Sequence, residues 1–315
     1  ALKLISGPSI KLIESINPAT QGYLGGMGLP IIFSWFIGGL LSAGVAFVIG
    51  KICLGLRSDY LAISTLLISG IVISVIKHEE WLSRGVKNVI GLKRPAPFEV
   101  NLQKSEWFMT LIDKIYFWAP TTKDIIISSS GIFVKLCFTI IFSITLLTLL
   151  YLSERAVNSP WGRMMRAIRD NETSAKAMGK NIVKQQLNIF MIGSAIIGFA
   201  GAMLVTYDGL FTPSSYQPLR YTFLIWVMVL LGGSGNNYGS ILGAFVVWFI
   251  WIESAPIALF IINFCTFFLE YNNPIKLHLI ESVPYFRYLM MGVGLLLVMR
   301  YKPEGLLPEK KISFK

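Results

Sequence analysis

The side chains that could bind a metal or carry out catalysis are few in this sequence and lie far apart. It has two histidines, His78 and His278, and three cysteines, Cys53, Cys137 and Cys265, each in a different segment. Zinc sites and disulfide frameworks need such residues at short, regular spacings, which this sequence lacks. We therefore predict no metal, no cofactor and no catalytic group, and expect buried thiols and loop histidines.

A glycine-rich segment, GGSGNNYGS at 232–240, is the nearest approach to a nucleotide-binding motif. A phosphate-binding loop of the pattern G-x-x-x-x-G-K-[ST] needs a lysine that reaches the phosphates. This segment has no lysine. The sequence therefore predicts that the chain is not an enzyme that hydrolyses ATP.

The composition indicates that apolar helices position the remaining polar residues. Of 315 residues, 54% are hydrophobic and 14% are charged, whereas a soluble domain has roughly 25% charged residues. The apolar residues form long blocks almost free of charge, which predict an all-α bundle of transmembrane helices. The net charge of +11 does not predict a nucleic-acid partner, because the cations lie mostly between these blocks.

We predict about six membrane segments, since roughly 20 apolar residues cross the hydrocarbon layer at 1.5 Å per residue. Two shorter runs, 221–233 and 240–252, are expected to be either two short spans or one re-entrant hairpin. Residues 257–269 are expected to be re-entrant or interfacial. The clear spans are 29–49, 60–76, 131–152, 187–207 and 285–300.

The charges predict the orientation. Loop 153–186 has seven cations against three acids, and the tail 301–315 has four lysines, so the positive-inside tendency places both in the cytoplasm. Loop 77–129, with eight cations and six acids, is then outside. Residues 1–28, rich in glycine, proline and serine, are expected to be an extramembrane loop left from a longer chain.

Residues 159–179, SPWGRMMRAIRDNETSAKAMG, are predicted to form one amphipathic helix over 160–178. Ser159 and Pro160 are a helix-start signal, and Gly179 is a natural stop. The helix has an apolar side and a basic side. The apolar side holds Trp161, Met164, Ile168 and Ala175, and the basic side holds Arg163, Arg166 and Arg169.

This pattern fits three partners. The arginines could meet anionic lipid headgroups, the helix could dock into a cytoplasmic protein, or it could contact nucleic acid, which is not expected so close to a bilayer. The pattern alone slightly favours membrane lipid.

Four stretches, in this order along the chain, resemble one known family. GRMMRAIRDNETSAKAMG (162–179) resembles the cytoplasmic loop of permease subunits of ABC transporters for branched-chain amino acids. The other three are LRSDYLAISTL (56–66), MVLLGGSGNNYGSILGA (228–244) and RYKPEGLLPE (300–309). The sequence departs from the family at Ser58 and at 236–238, where smaller residues are usual, and it lacks one or more initial spans that family members have.

The resemblance implies a transport subunit of the cell (inner or plasma) membrane. Its partners would be a second permease subunit, two cytoplasmic ATPases and an extracytoplasmic substrate-binding protein. The cytoplasmic helix would sit in a groove of the ATPase, with an apolar anchor and arginines that fix the register. The implied coupling residues are Trp161, Gly162, Arg163, Met164, Arg166, Ala167, Ile168, Arg169, Asp170, Glu172 and Gly179.

The resemblance also implies that substrate crosses between the two permease subunits. The candidate lining residues are Ser64, Thr65, Ser69, Gly232 and Gly233. The substrate would be a branched-chain amino acid, and an importer of urea or amides is the alternative. An ion-coupled carrier or channel is disfavoured, because the long spans are expected to hold no ionisable group apart from Lys135.

Overall fold

The structure is a computed structural model. It describes residues 30–56, 58–79, 89–90, 92, 94–117, 122–212, 218–268 and 273–309. The predicted loop 1–28 and the last residues of the tail, 310–315, lie outside the described residues.

The described part of the chain is almost entirely helical, which confirms the predicted fold class. Two short strands, β1 and β2, pair antiparallel with Val89 opposite Phe211. In chain order the elements are α1 (Ile31–Cys53), α2 (Ser58–His78), β1 (Val89–Ile90), α3 (Glu99–Gln103), α4 (Glu106–Ile115), α5 (Lys123–Asn158), α6 (Pro160–Asp170), α7 (Glu172–Ala177), α8 (Ile182–Asp208), β2 (Leu210–Phe211), α9 (Pro218–Gly232), α10 (Asn237–Cys265), α11 (Pro274–Glu281) and α12 (Val283–Tyr301).

Six of these helices, α1, α2, α5, α8, α10 and α12, are long and apolar enough to cross a membrane. This count confirms a multi-pass membrane protein with about six spans. Helix α5 has 36 residues, about 54 Å at 1.5 Å per residue, and extends beyond both ends of the predicted span 131–152. The loops on either side are shorter than predicted.

The expectation for 257–269 is wrong, because residues 257–265 continue the helix that contains 240–252. Helix α10 has 29 residues, about 43 Å, and is long enough to cross the bilayer alone. Pro256 lies inside it and removes one backbone donor without ending the helix. The preceding helix, α9, has only 15 residues.

The chain forms two compact units, Ala1–Tyr216 and Gln217–Lys315. In the first unit α1 packs antiparallel against α8. A Cβ at Gly198 would clash with Ser42, and one at Gly39 would lie 2.9 Å from the Ala195 carbonyl oxygen. Ser194, Gly198 and Ala202 recur along α8 at a four-residue spacing that suits close packing of membrane helices, and Gly198 lies against Ser42 and Ala202 against Gly38 of α1.

A buried hydrogen bond fixes the end of this helix pair. Trp35 Nε1 donates to Thr206 Oγ1 over 2.9 Å, and Thr206 Oγ1 donates to the Ala202 carbonyl over 2.7 Å. Because each donor has an acceptor, the polar groups are buried without an unpaired donor.

Helices α3 and α4 pack against α5 in the same unit. Phe108 and Ile112 of α4 are each 1% exposed and share a cluster with Val134 and Phe138 of α5. In the second unit α9, α10 and α12 share a core that includes Val247, fully buried on α10. Each unit therefore has its own apolar core.

The cysteines and histidines differ partly from expectation. Cys53 is buried, as predicted, but Cys137 is half-buried and Cys265 is exposed. His78 is the last residue of α2 and His278 lies inside α11, so neither is a loop residue. No three His, Cys, Asp or Glu side chains converge within the described ranges.

Candidate functional site

The segment between α5 and α8, residues 159–182, forms two short helices at one end of the first unit. Both helices, and α8 after them, begin at a side-chain cap. Ser159 Oγ accepts from the Gly162 N–H over 3.2 Å, Asn171 Oδ1 accepts from the Ser174 N–H over 2.9 Å, and Asn181 Oδ1 accepts from the Lys184 N–H over 3.0 Å. These caps satisfy backbone donors that a helix start leaves unpaired. We call residues 159–182 the α6–α7 segment.

The single helix expected over 160–178 is wrong, because the backbone breaks at Asn171. Its φ of −152° and ψ of 97° are extended, and its amide side chain starts α7. Short amide side chains favour such caps over helix interiors. The sequence carries this signal, since Asn171 lies directly before Glu172, an acidic residue in the first turn of α7.

The predicted apolar anchor is used largely inside the chain. Ile168 is 5% exposed and packs with Ala175 and Ile182, while Met164 and Met165 lie against this cluster. The cluster holds α6 against α7 and against the first turn of α8. Ile168 therefore stabilises the α6–α7 segment and offers little surface to a partner, while its expected role in coupling stays a prediction.

Two predicted docking arginines also contact their own chain. Arg163 Nη1 donates to the Asn158 carbonyl over 3.4 Å, and Arg166 Nη2 donates to the Val157 carbonyl over 3.3 Å. Both carbonyls end α5, where cations are favoured by the helix dipole. Gly162 makes this close approach possible, because a Cβ there would clash with backbone oxygens of Ala156 and Val157. The contacts fasten α6 to the end of α5.

Several members of the predicted coupling set, Arg163 among them, are exposed on the surface of the α6–α7 segment. Arg163, Ala167 and Asp170 lie at spacings of four and three residues, which places them on one side of α6. Arg169 pairs with Asp170 over 3.1 Å, and Glu172 pairs with Lys176 over 3.1 Å. The exposed members are Arg163, Ala167, Arg169, Asp170, Glu172 and Gly179.

Met178 was missed by the sequence interpretation. Its side chain is 78% exposed, directly before Gly179, whose φ of 73° ends α7. An exposed, flexible apolar side chain beside charged residues is a typical protein contact. The sequence interpretation missed it because it assumed one continuous helix, whereas the backbone breaks at Asn171, before Met178.

The predicted pathway residues of α2 lie together. Ser64, Thr65 and Ser69 are all half-buried, on a helix that contacts α1. Thr65 Oγ1 donates to the Ala62 carbonyl over 3.0 Å, and Ser69 Oγ donates to the Leu66 carbonyl over 2.7 Å. Their assignment to a pathway stays a prediction.

Gly232 and Gly233 lie in a tight backbone junction of the second unit. A Cβ at Gly232 would clash with Gly239, and one at Gly233, whose φ is 120°, would clash with Leu307. The packing of backbone on backbone explains the need for glycine at both positions. Their assignment to a substrate pathway stays a prediction, and these contacts leave little space for substrate at their Cα atoms.

The C-terminal segment completes this junction. The Leu306 and Leu307 N–H groups each donate over 2.9 Å, to the carbonyls of Leu231 and Gly232 respectively. Asn236 Nδ2 donates to the Pro308 carbonyl over 3.3 Å. Residues 303–309 thus cap the last carbonyls of α9. We call residues 231–243 together with 303–309 the glycine junction.

The spans contain more ionisable groups than expected. Glu253 lies near the middle of α10 and is half-buried, and Arg287 lies in the second turn of α12. The Arg287 guanidinium carbon is 5.6 Å from the centre of the Trp251 ring, a cation–π distance. The expectation that the long spans hold no ionisable group apart from Lys135 is wrong. Glu253 was assigned to a gap between two spans, and Arg287, inside the predicted span 285–300, was overlooked.

Known proteins resemble this chain over most of its length. The profile of the family described as "Branched-chain amino acid transport system / permease component" matches residues 15–299. A probable branched-chain amino acid transport permease protein, LivM, of Methanocaldococcus jannaschii is 30% identical over 278 residues, 87% of this chain and 68% of that protein.

Two further relatives carry the same protein name. The high-affinity branched-chain amino acid transport system permease proteins LivM of Salmonella typhimurium and Escherichia coli are each 24% identical over 282 residues, 89% of this chain. The chain spans 58% of the length of each of these two proteins. No solved structure matches it. The family match includes the α6–α7 segment, and the chain belongs to the permease components of branched-chain amino acid transport systems.

Proposed function

We propose that this chain is a permease subunit of an ABC importer and works with a second permease subunit, two cytoplasmic ATPases and an extracytoplasmic binding protein. One observation carries the coupling part of the proposal. The α6–α7 segment is fastened to α5 and α8 by caps, arginines and an apolar cluster, yet it keeps a charged face exposed. An element that is fastened to two spans and keeps an exposed face is suited to transmit a partner's movement to those spans.

This exposed face fits a protein partner better than lipid. It carries both signs of charge, with Asp170 and Glu172 beside Arg163 and Arg169. Anionic headgroups attract a basic face and gain nothing from carboxylates. Met178 supplies the apolar contact that the buried Ile168 does not.

Coupling then needs two states. Closure of the ATPases on ATP must favour one permease conformation over the other. Because Arg163 and Arg166 donate to the last carbonyls of α5, a displacement of α6 displaces the end of α5 as well. Gly162 keeps the two helices in contact.

The helix order supports a cytoplasmic C-terminus. Helices α9 and α10 pack as an antiparallel hairpin, since Gly232 approaches Gly239 and Met228 approaches Gly243. If α9, which is shorter than the six long helices, crosses once as α8, α10 and α12 do, the α6–α7 segment and the tail lie on the same side. Both are basic, so the positive-inside tendency places that side in the cytoplasm.

Branched-chain amino acids are the proposed substrates, and the relatives' names carry this choice. The test is uptake by the complete complex in proteoliposomes, with labelled leucine and with valine, urea and short amides as competitors. We expect uptake to need ATP and to be inhibited by valine. Inhibition by urea or amides, without inhibition by valine, would instead support the alternative, an importer of urea or amides.

Glu253 and Arg287 favour a second candidate, an ion-coupled carrier, because ionisable side chains within spans often serve proton or ion relays. Uptake driven by a proton or sodium gradient without ATP would support it. The ABC proposal predicts no uptake under that condition.

A further inference from the structure

Helix α4 uses only part of its apolar surface for packing against α5. Phe108 and Ile112 are each 1% exposed and meet α5. Trp107, Leu111 and Ile115 lie on the adjoining side of the helix, within about 80° of one another at 100° per residue. They are 53%, 38% and 52% exposed.

The opposite side of α4 is polar. Glu106, Thr110 and Asp113 occupy it, and all three are exposed. The helix is therefore amphipathic in the manner of interfacial helices, with an apolar side wider than its protein contact. The apolar side of α4 that does not contact α5 therefore needs an apolar surface, of lipid or of protein, against it.

The neighbouring part of α5 indicates what covers it. Trp107 and Phe108 contact the Phe133 ring, at centroid distances of 5.9 and 5.7 Å. Beside Phe133, Ile132 and Leu136 are 57% and 54% exposed. An exposed apolar row at four-residue spacing continues from them along the spanning part of α5, through Ile140 and Ile144.

An exposed apolar row on a membrane-spanning helix is suited to face lipid chains. Helix α4 thus packs at a level where its partner helix already meets lipid chains. Trp107 and the exposed Lys135 are residue types that favour the boundary between headgroups and chains. If this loop lay in water, the start of the apolar row of α5 and the apolar side of α4 would both be exposed to water.

We propose that α4 lies in the headgroup layer of the bilayer, at the membrane face where α5 begins. Trp107, Leu111 and Ile115 insert among the upper lipid chains, and Thr110 faces water. Part of the predicted extramembrane loop 77–129 is then a membrane-bound helix that holds the entrance of α5 at a fixed depth.

Spin labels at single cysteines test the proposal in the full chain, purified and placed in phosphatidylethanolamine/phosphatidylglycerol nanodiscs. The background carries Cys137→Ala and Cys265→Ala, while Cys53, only 1% exposed, stays in place. Leu111→Cys and Ile115→Cys report the apolar side, and Thr110→Cys is the matched control on the polar side of the same helix.

We expect labels at 111 and 115 to collide often with oxygen, which dissolves in lipid, and rarely with a water-soluble nickel chelate. The label at 110 should show the reverse. Equal nickel access at 110, 111 and 115 would place α4 in water and overturn the proposal. Access to neither reagent at 111 and 115 would mean cover by protein, such as a second copy, and would also overturn it.

Discussion

The α6–α7 segment and the glycine junction are held together by opposite means. In the α6–α7 segment, side chains make the contacts: Ser159, Asn171 and Asn181 cap helices, and Ile168 fills a small core. In the glycine junction, backbone meets backbone, and glycines are needed because they lack side chains. The first arrangement leaves a set of side chains exposed on its surface, where a partner can reach them, whereas the second has little room for a partner.

A substitution in the glycine junction should cause the largest loss of stability. Gly243→Val places a side chain against the Met228 carbonyl and Gly232, so we expect a loss of about 3 kcal/mol or more. Thermal unfolding in detergent measures it. Gly292→Ala in α12 is the control, because a Cβ there meets nothing within 4 Å, and its melting temperature should stay near that of the wild type. Equal losses in both variants would contradict the packing assignment.

Loss of the apolar cluster should weaken the α6–α7 segment next. Ile168→Ala removes a side chain that is 5% exposed, and we expect a loss of about 2 kcal/mol. Hydrogen exchange of the α6 and α7 amides measures the local opening. Met178→Ala, at a 78% exposed position, should leave exchange unchanged, and faster exchange there would show that Met178 supports the segment.

Removal of the Asn171 cap should have a smaller effect. Asn171→Ala loses the acceptor for the Ser174 N–H, which costs about 1 kcal/mol at a helix start. Hydrogen exchange of the backbone amides should become faster in α7 and should stay unchanged in α3, which serves as the internal comparison. Asn171→Asp keeps the acceptor and should restore protection. If it does not, the cap is not what separates α6 from α7.

The smallest expected effect concerns the exposed ion pair of Glu172 and Lys176. Their side chains are 53% and 62% exposed, and such pairs contribute roughly 0.3–0.5 kcal/mol. Glu172→Gln should therefore hardly change the melting temperature, while it lowers ATP-driven uptake if Glu172 contacts the ATPase. A clear fall in stability with normal uptake would reverse this assignment.

The sequence predicted the spans well where a charge-free run matches the bilayer thickness, as in α1 and α8. It failed at α10, because Glu253 and Pro256 interrupt the hydropathy pattern without interrupting the helix. It also failed at Asn171, where a local side-chain cap outweighs helical periodicity. The role of Ile168 could not be predicted, because its neighbour Ile182 lies beyond the helix that the pattern covers.

The residues of the candidate site were found by resemblance, but their roles were set by packing. Arg166 and Ile168 contact the chain itself, so substitution of either would disturb the α6–α7 segment whether or not a partner binds. Ala167 is exposed and its side chain makes no polar contact. A change at Ala167 therefore separates docking from stability.

Co-purification of the ATPase with the Ala167→Glu variant tests docking on the exposed face of α6 most directly. We expect the variant to reach the membrane with a normal melting temperature, to retain little ATPase and to lose uptake. Ala167→Ser should behave as the wild type, and so should Asn101→Glu, an exposed change on α3. Full recovery of the ATPase with stable Ala167→Glu would contradict docking at this face.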